Sequence, residues 1–127
     1  MLLNLSNHPS NEWSPYQKET AEQKFREISD LLFPSIEPST STGEVFRMAK
    51  NYAEKCLEIL HFAEPADHAV HVMGELTFTH ALVNELQKAG ICCVASTTRR
   101  IVSKDQNGGK MSYFEFAGFR EYFNSFS

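Results

Sequence analysis

The sequence predicts a single α/β domain: a three-layer, Rossmann-like fold with a mostly parallel sheet and a C-terminal antiparallel hairpin. Three observations carry that expectation. Short apolar runs alternate with amphipathic stretches along most of the chain, as successive strands and helices do. "HAVHVMG", "ELTFTHALVNELQKA" and "ICCVAST" then read as strand, helix and strand, a unit of about thirty residues whose crossover is right-handed and whose strands are parallel. Finally, two extended runs flank Asn107 and Gly108, the dipeptide that most favours a type I′ hairpin turn. With 127 residues, 42% of them apolar, the chain has the size of one domain with a real core.

The elements follow in order. "MLLNLS" is an apolar run expected to be a buried strand. Ser14, Pro15 and Gln17 supply an N-cap, a first-position proline and a capping box, so a helix should run from there to about Arg26. "EISDLLF" is a weaker strand broken by Pro34, and "PSIEPSTST" a loop. Ser41 and Glu44 form a second capping box ahead of Val45, Met48, Ala49, Tyr52, Ala53, Cys56, Leu57 and Leu60, whose spacing of three and four predicts the clearest helix. Thr77 or Thr79 is expected to cap the third helix and Gly90 to stop it. "AGFREYFNSF" could close the chain as a short helix or as a continuation of the last strand.

Composition narrows the function. The net charge of −4 argues against a duplex nucleic-acid binder, which needs a broadly basic face. No apolar stretch approaches the roughly 20 residues of a membrane span, and the start lacks the basic and long apolar regions of a signal peptide. The expectation is a cytoplasmic protein with no membrane partner. Cys56, Cys92 and Cys93 are an odd count, two of them adjacent in a strand, which fits core hydrophobes better than disulfides. No CxxC pair is present and the histidines are scattered, so neither a metal site nor another cofactor is expected.

In an open α/β sheet, ligands bind outside the carboxyl ends of the strands where the winding reverses. If the first strand and "HAVHVMG" lie side by side with their helices on opposite faces, three polar loops should converge there. In "SNHPS", Ser6, Asn7, His8 and Ser10 offer hydrogen bonds, and His8 suits a general base or a phosphate ligand. Trp13 follows, either to stack on a base or to staple the helix start. In "GELTFT", Gly74 permits close approach, Thr77 or Thr79 caps a helix whose N-terminus faces an anion, and Glu75 suits a ribose hydroxyl or an arginine. In "STTRR", Ser96, Thr97 and Thr98 precede Arg99 and Arg100, a combination suited to phosphate, although alternation sends the two arginines to opposite faces. Each loop has a plainer reading: a turn, a capped helix, a charged edge strand. His61, His68, His71 and His80 read as ordinary structural histidines. Neither a GxGxxG fingerprint nor a P-loop is present.

"LLNLSNHPS" with Trp13 close behind, "HVMGELTFTHALVNELQKAGI" and "CCVASTTRR" together resemble the small Rossmann-like proteins associated with type III CRISPR systems. That group includes ring nucleases and domains that sense cyclic oligoadenylate. The resemblance implies a homodimer binding a cyclic oligoadenylate across its twofold axis in antiviral defence. It also implies metal-independent cleavage, in which a ribose 2′-hydroxyl attacks the adjacent phosphate. Carried onto this chain, His8 would be the general base or acid, Ser10 and Thr97 phosphate donors, and Arg99 or Arg100 the stabiliser of developing charge. Two alternatives stay open: a non-catalytic nucleotide-binding module, and a nucleoside or nucleotide hydrolase or transferase using Glu75.

Overall fold

A computed structural model describes residues 1–62 and 68–126. Its strands are β1 (Leu2–Ser6), β2 (Ile28–Asp30), β3 (Ala69–Met73), β4 (Cys93–Lys104) and β5 (Lys110–Glu121), and its α-helices are α1 (Pro15–Phe25), α2 (Thr42–Leu60) and α3 (Leu76–Lys88). The five strands form one sheet in the order β2-β1-β3-β4-β5. The first three pairings are parallel and β4–β5 is antiparallel. The mostly parallel α/β sheet with a terminal hairpin is therefore present.

Strand alternation sorts the core onto two faces. Leu3, Leu5, Val70, Val72 and Cys93 pack with Val45, Ala49, Ala53, Cys56 and Leu60 of α2 and with Phe78, Leu82 and Leu86 of α3. Leu2, Ala69 and Val94 face the other way, onto Trp13 and the α1 residues Ala21 and Phe25. β1 and β3 are thus neighbours whose following helices lie on opposite faces, which makes their carboxyl ends the point where the winding reverses.

Three local expectations are revised. The cap of α3 is Glu75, which accepts from the Thr77 and Phe78 N–H groups, in place of Thr77 or Thr79; a carboxylate reaching two orphan donors beside a positive helix end outcompetes a hydroxyl. Ser14 accepts from the Gln17 N–H as expected, but the Gln17 amide side chain extends to Ser96. The hairpin turn is longer than a two-residue type I′ turn. Asp105 and Gly109 close it, Gly108 sits at φ +81°, and the Asp105 carboxylate accepts from the Asn107 and Gly109 N–H groups. This is the longer hairpin loop in which a tight turn is followed by a left-handed glycine. The chain's end takes the second of its two expected forms, since β5 continues to Glu121.

Candidate functional site

A cleft of about 580 Å³ opens on the α1 face, at the carboxyl ends of β1 and β3. Its walls include Asn7 and His8 after β1, Trp13 and Gln17 at the start of α1, and His71 and Gly74 from β3 and the loop beyond it. Ser96 and Thr98 of β4 and Phe114 and Phe116 of β5 complete it, with Glu12 at its edge. Among the described residues that line it, none is Lys or Arg.

Its floor is built by period-two polar residues inside otherwise apolar strands. Asn4 and Ser6 of β1 share a face, and Asn4 is the register partner of His71 on β3. The Asn4 amide nitrogen donates to Asp30 Oδ1 at 2.8 Å and to the His8 carbonyl at 2.9 Å. Because both of those groups only accept, the Asn4 oxygen must point the other way, where it receives the Ser6 hydroxyl at 2.8 Å and His71 Nδ1 at 2.8 Å. His71 Nδ1 therefore carries the proton. Nε2 is left with a lone pair, and the Ser96 hydroxyl donates to it at 2.7 Å. Gln17 in turn donates to the Ser96 oxygen at 3.1 Å.

His71 is 2% exposed and lies edge-on to Trp13 and Phe119, with ring centroids 5.4 and 5.7 Å away. Burial, helped by the neighbouring His8, pushes its pKa down to about 4, so the imidazole is neutral at ordinary pH with Nε2 free to accept. Asp30 is pushed up by burial, but hydrogen bonds from Ser10 and Asn4 outweigh this and its pKa ends below the usual value.

The three loops converge only in part. Asn7, His8, Gly74, Ser96 and Thr98 meet in the cleft, with Trp13 in its wall. Trp13 is 7% exposed and its indole N–H donates to the His8 carbonyl, so it fixes the loop and packs against His71 and Phe119. Ser10 lies outside the cleft, its N–H and hydroxyl both donating to Asp30. Thr97 sits at the β4 bulge and donates to the Gly118 carbonyl. Arg99 lines a separate pocket with Tyr16 and Glu115, and Arg100 pairs with Phe114 along the exposed hairpin; neither lines the cleft. Glu75 and Thr77 border a different cavity of about 640 Å³, between α3 and the start of α2. Hydrogen bonds from Phe78 and Thr77 hold the Glu75 pKa below its usual value and occupy both carboxylate oxygens.

Asn4, Gln17, Asp30 and His71 join Ser6 in the site without having been singled out for it from the sequence. The signal for the strand residues was Asn4 and Ser6 two apart in a run of leucines and His71 between two valines; Gln17 in α1 and Asp30 in β2 carried none.

A family model described as "Uncharacterized protein MJ1673 family" matches residues 1–120. The chain belongs to the MJ1673 family. No curated protein and no solved structure matches it. The match spans every element of the MJ1673-family sheet, from β1 almost to the end of β5. Among the described residues no helix is long and apolar enough to cross a membrane, and no group of three or more His, Cys, Asp or Glu side chains is arranged to hold a metal ion.

Proposed function

We propose that this MJ1673-family protein binds a cyclic oligoadenylate or a related nucleotide second messenger in the β1–β3–β4 cleft. In this reading it acts as a cytoplasmic homodimer in CRISPR antiviral defence and opens the ring by attack of a ribose 2′-hydroxyl on the adjacent phosphate. One observation carries the reading: the cleft stands where the sheet winding reverses and combines hydrogen-bond donors and acceptors with two aromatic faces. Asn7, His8, Gln17, Ser96 and Thr98 suit base edges, ribose hydroxyls and phosphate oxygens, while Phe114 and Phe116 suit stacking. A volume of about 580 Å³ is that of a small-molecule site. A cyclic oligonucleotide outgrows one such cleft, which favours two copies sharing it.

The test is incubation with cyclic tetra- and hexa-adenylate, following melting temperature and products. The expected result is a rise in melting temperature and linear products ending in a 2′,3′-cyclic phosphate; no shift at ligand concentrations well above micromolar overturns the reading. The lack of Lys or Arg among the described lining residues favours a second reading, a binding module without turnover. Stabilisation by a ring that stays intact selects it. A Glu75-based hydrolase or transferase is disfavoured, because that carboxylate is committed to the α3 N-terminus outside the cleft.

A further inference from the structure

We propose that the base for ring opening is His71 acting through Ser96, with His8 serving as the acid on the leaving oxygen. This rests on the nucleotide reading above and assigns its proton transfers to particular atoms. The geometry is a line of hydrogen bonds from Asp30 through Asn4 and His71 to the Ser96 hydroxyl, each link between 2.7 and 2.8 Å. A nucleophile or relay hydroxyl, a base within reach and a third group orienting that base are the parts of an activated site.

Counting lone pairs shows where substrate fits. A serine hydroxyl has one proton and two acceptor positions. In Ser96 the proton goes to His71 Nε2 and one acceptor position takes the Gln17 N–H. The second acceptor position remains for a ribose hydroxyl in the cleft that Ser96 lines. As the 2′-oxygen bonds to phosphorus, its proton passes to Ser96 Oγ while the Ser96 proton passes to Nε2. The P–O5′ bond breaks, its electron pair stays on the 5′-oxygen, and protonated His8 supplies the proton that oxygen needs. The products are a 2′,3′-cyclic phosphate and a 5′-hydroxyl, with no water or oxidant consumed.

The chemistry also explains how a cleft with no Lys or Arg among its described lining residues works. Of the titratable groups around the imidazole, His8 acts on it directly, Glu12 lines the same cleft and Asp30 lies behind Asn4. A phosphodiester brought alongside adds negative charge that favours the protonated ring, so the imidazolium formed by the relay neutralises the charge developing at phosphorus.

The experiment uses cyclic tetra-adenylate in single-turnover reactions, alongside the same ring carrying one 5′-bridging phosphorothiolate, whose sulfur leaves without a proton. Ser96→Ala and His71→Gln should each lower the cleavage rate on both substrates by about 100-fold or more, the usual scale for acid–base groups, with Kd changed less than about fivefold. His8→Ala should be slow on the oxygen ring and recover on the sulfur ring. Ser96→Ala removes only a small side chain, so it reports even if His71→Gln folds poorly. Cleavage by Ser96→Ala within about threefold of wild type, or recovery of His71→Gln on the sulfur ring, overturns the assignment. A wild-type protein that binds the ring without cutting it also overturns the assignment but leaves the binding reading standing; absence of binding removes that reading itself.

Discussion

Asn4 is the residue on which the site's geometry turns, because its amide fixes which nitrogen of His71 holds the proton. It is 2% exposed and makes four side-chain hydrogen bonds, so Asn4→Ala would leave Asp30, Ser6, His71 and the His8 carbonyl short of partners. At about 1–3 kcal/mol for a buried group left unsatisfied, we expect a loss of about 2–4 kcal/mol, read from urea melts. His71 adds a pH dependence of known sign. Its folded pKa is pushed to about 4 from an ordinary 6.5, so between those values the unfolded chain binds the extra proton. Stability is then full above pH 6.5 and falls as pH drops toward 4, by up to about 3 kcal/mol. Asp30 and Glu75, whose pKa values are lowered from 3.8 and 4.5, act in the same direction but over a more acidic range. Urea melts at pH 7.5 and about 5.5 therefore report mainly the histidine. His71→Gln should flatten the difference, and an undiminished slope in that variant would refute the burial argument.

At the scale of elements, Gly74 separates two environments: its backbone borders the cleft, and on the other side it meets the loop after β2. A Cβ at this position would overlap the outer edge of the Phe33 ring, which packs edge-on against Phe78. Gly74→Ala should therefore cost about 1–3 kcal/mol, as overpacking does, and Phe33→Leu should relieve part of it. Thermal melts of the two single variants and the double variant close the cycle, and simple additivity would show that the ring does not restrain the loop. The elements themselves were largely legible. α2 announces itself by Ser41, Glu44 and a run of apolar residues three and four apart, and β1 by its leucines. The floor of the site was not legible. Asn4 and His71 are 67 positions apart and become neighbours only through the parallel register of β1 and β3. The order of strands in a sheet is a property of packing that local sequence does not encode. The arginines misled for a related reason: "STTRR" reads as a loop at a strand end, yet β4 continues through it to Lys104 because β5 pairs with it all the way.

For the molecule as a whole, the β4–β5 ribbon is the part that the domain does not account for. β3 pairs with β4 only at Cys93 and Val94, so beyond that point β5 is, among the described residues, the only sheet neighbour β4 has. A two-stranded ribbon is marginal in water unless something covers it. This one exposes Val102 (55%), Met111 (63%), Tyr113 (54%) and Phe114 (71%). Four cations against two acids leave residues 98–116 at +2, while the rest of a chain of net charge −4 carries −6. An apolar, basic ribbon on an acidic body is complementary to a second copy of itself, and a twofold pair would repeat each ribbon-to-body contact. The homodimer proposed above should therefore be held by this ribbon. Met111 and Tyr113 lie on the ribbon without lining the cleft, so replacing both by Arg changes the contact and leaves the site walls in place. We expect sedimentation to show a wild-type dimer that weakens as salt rises and a Met111→Arg/Tyr113→Arg monomer with unchanged helix content. If the wild-type chain sediments as a monomer at high concentration, or the double variant remains dimeric, the ribbon is not the interface.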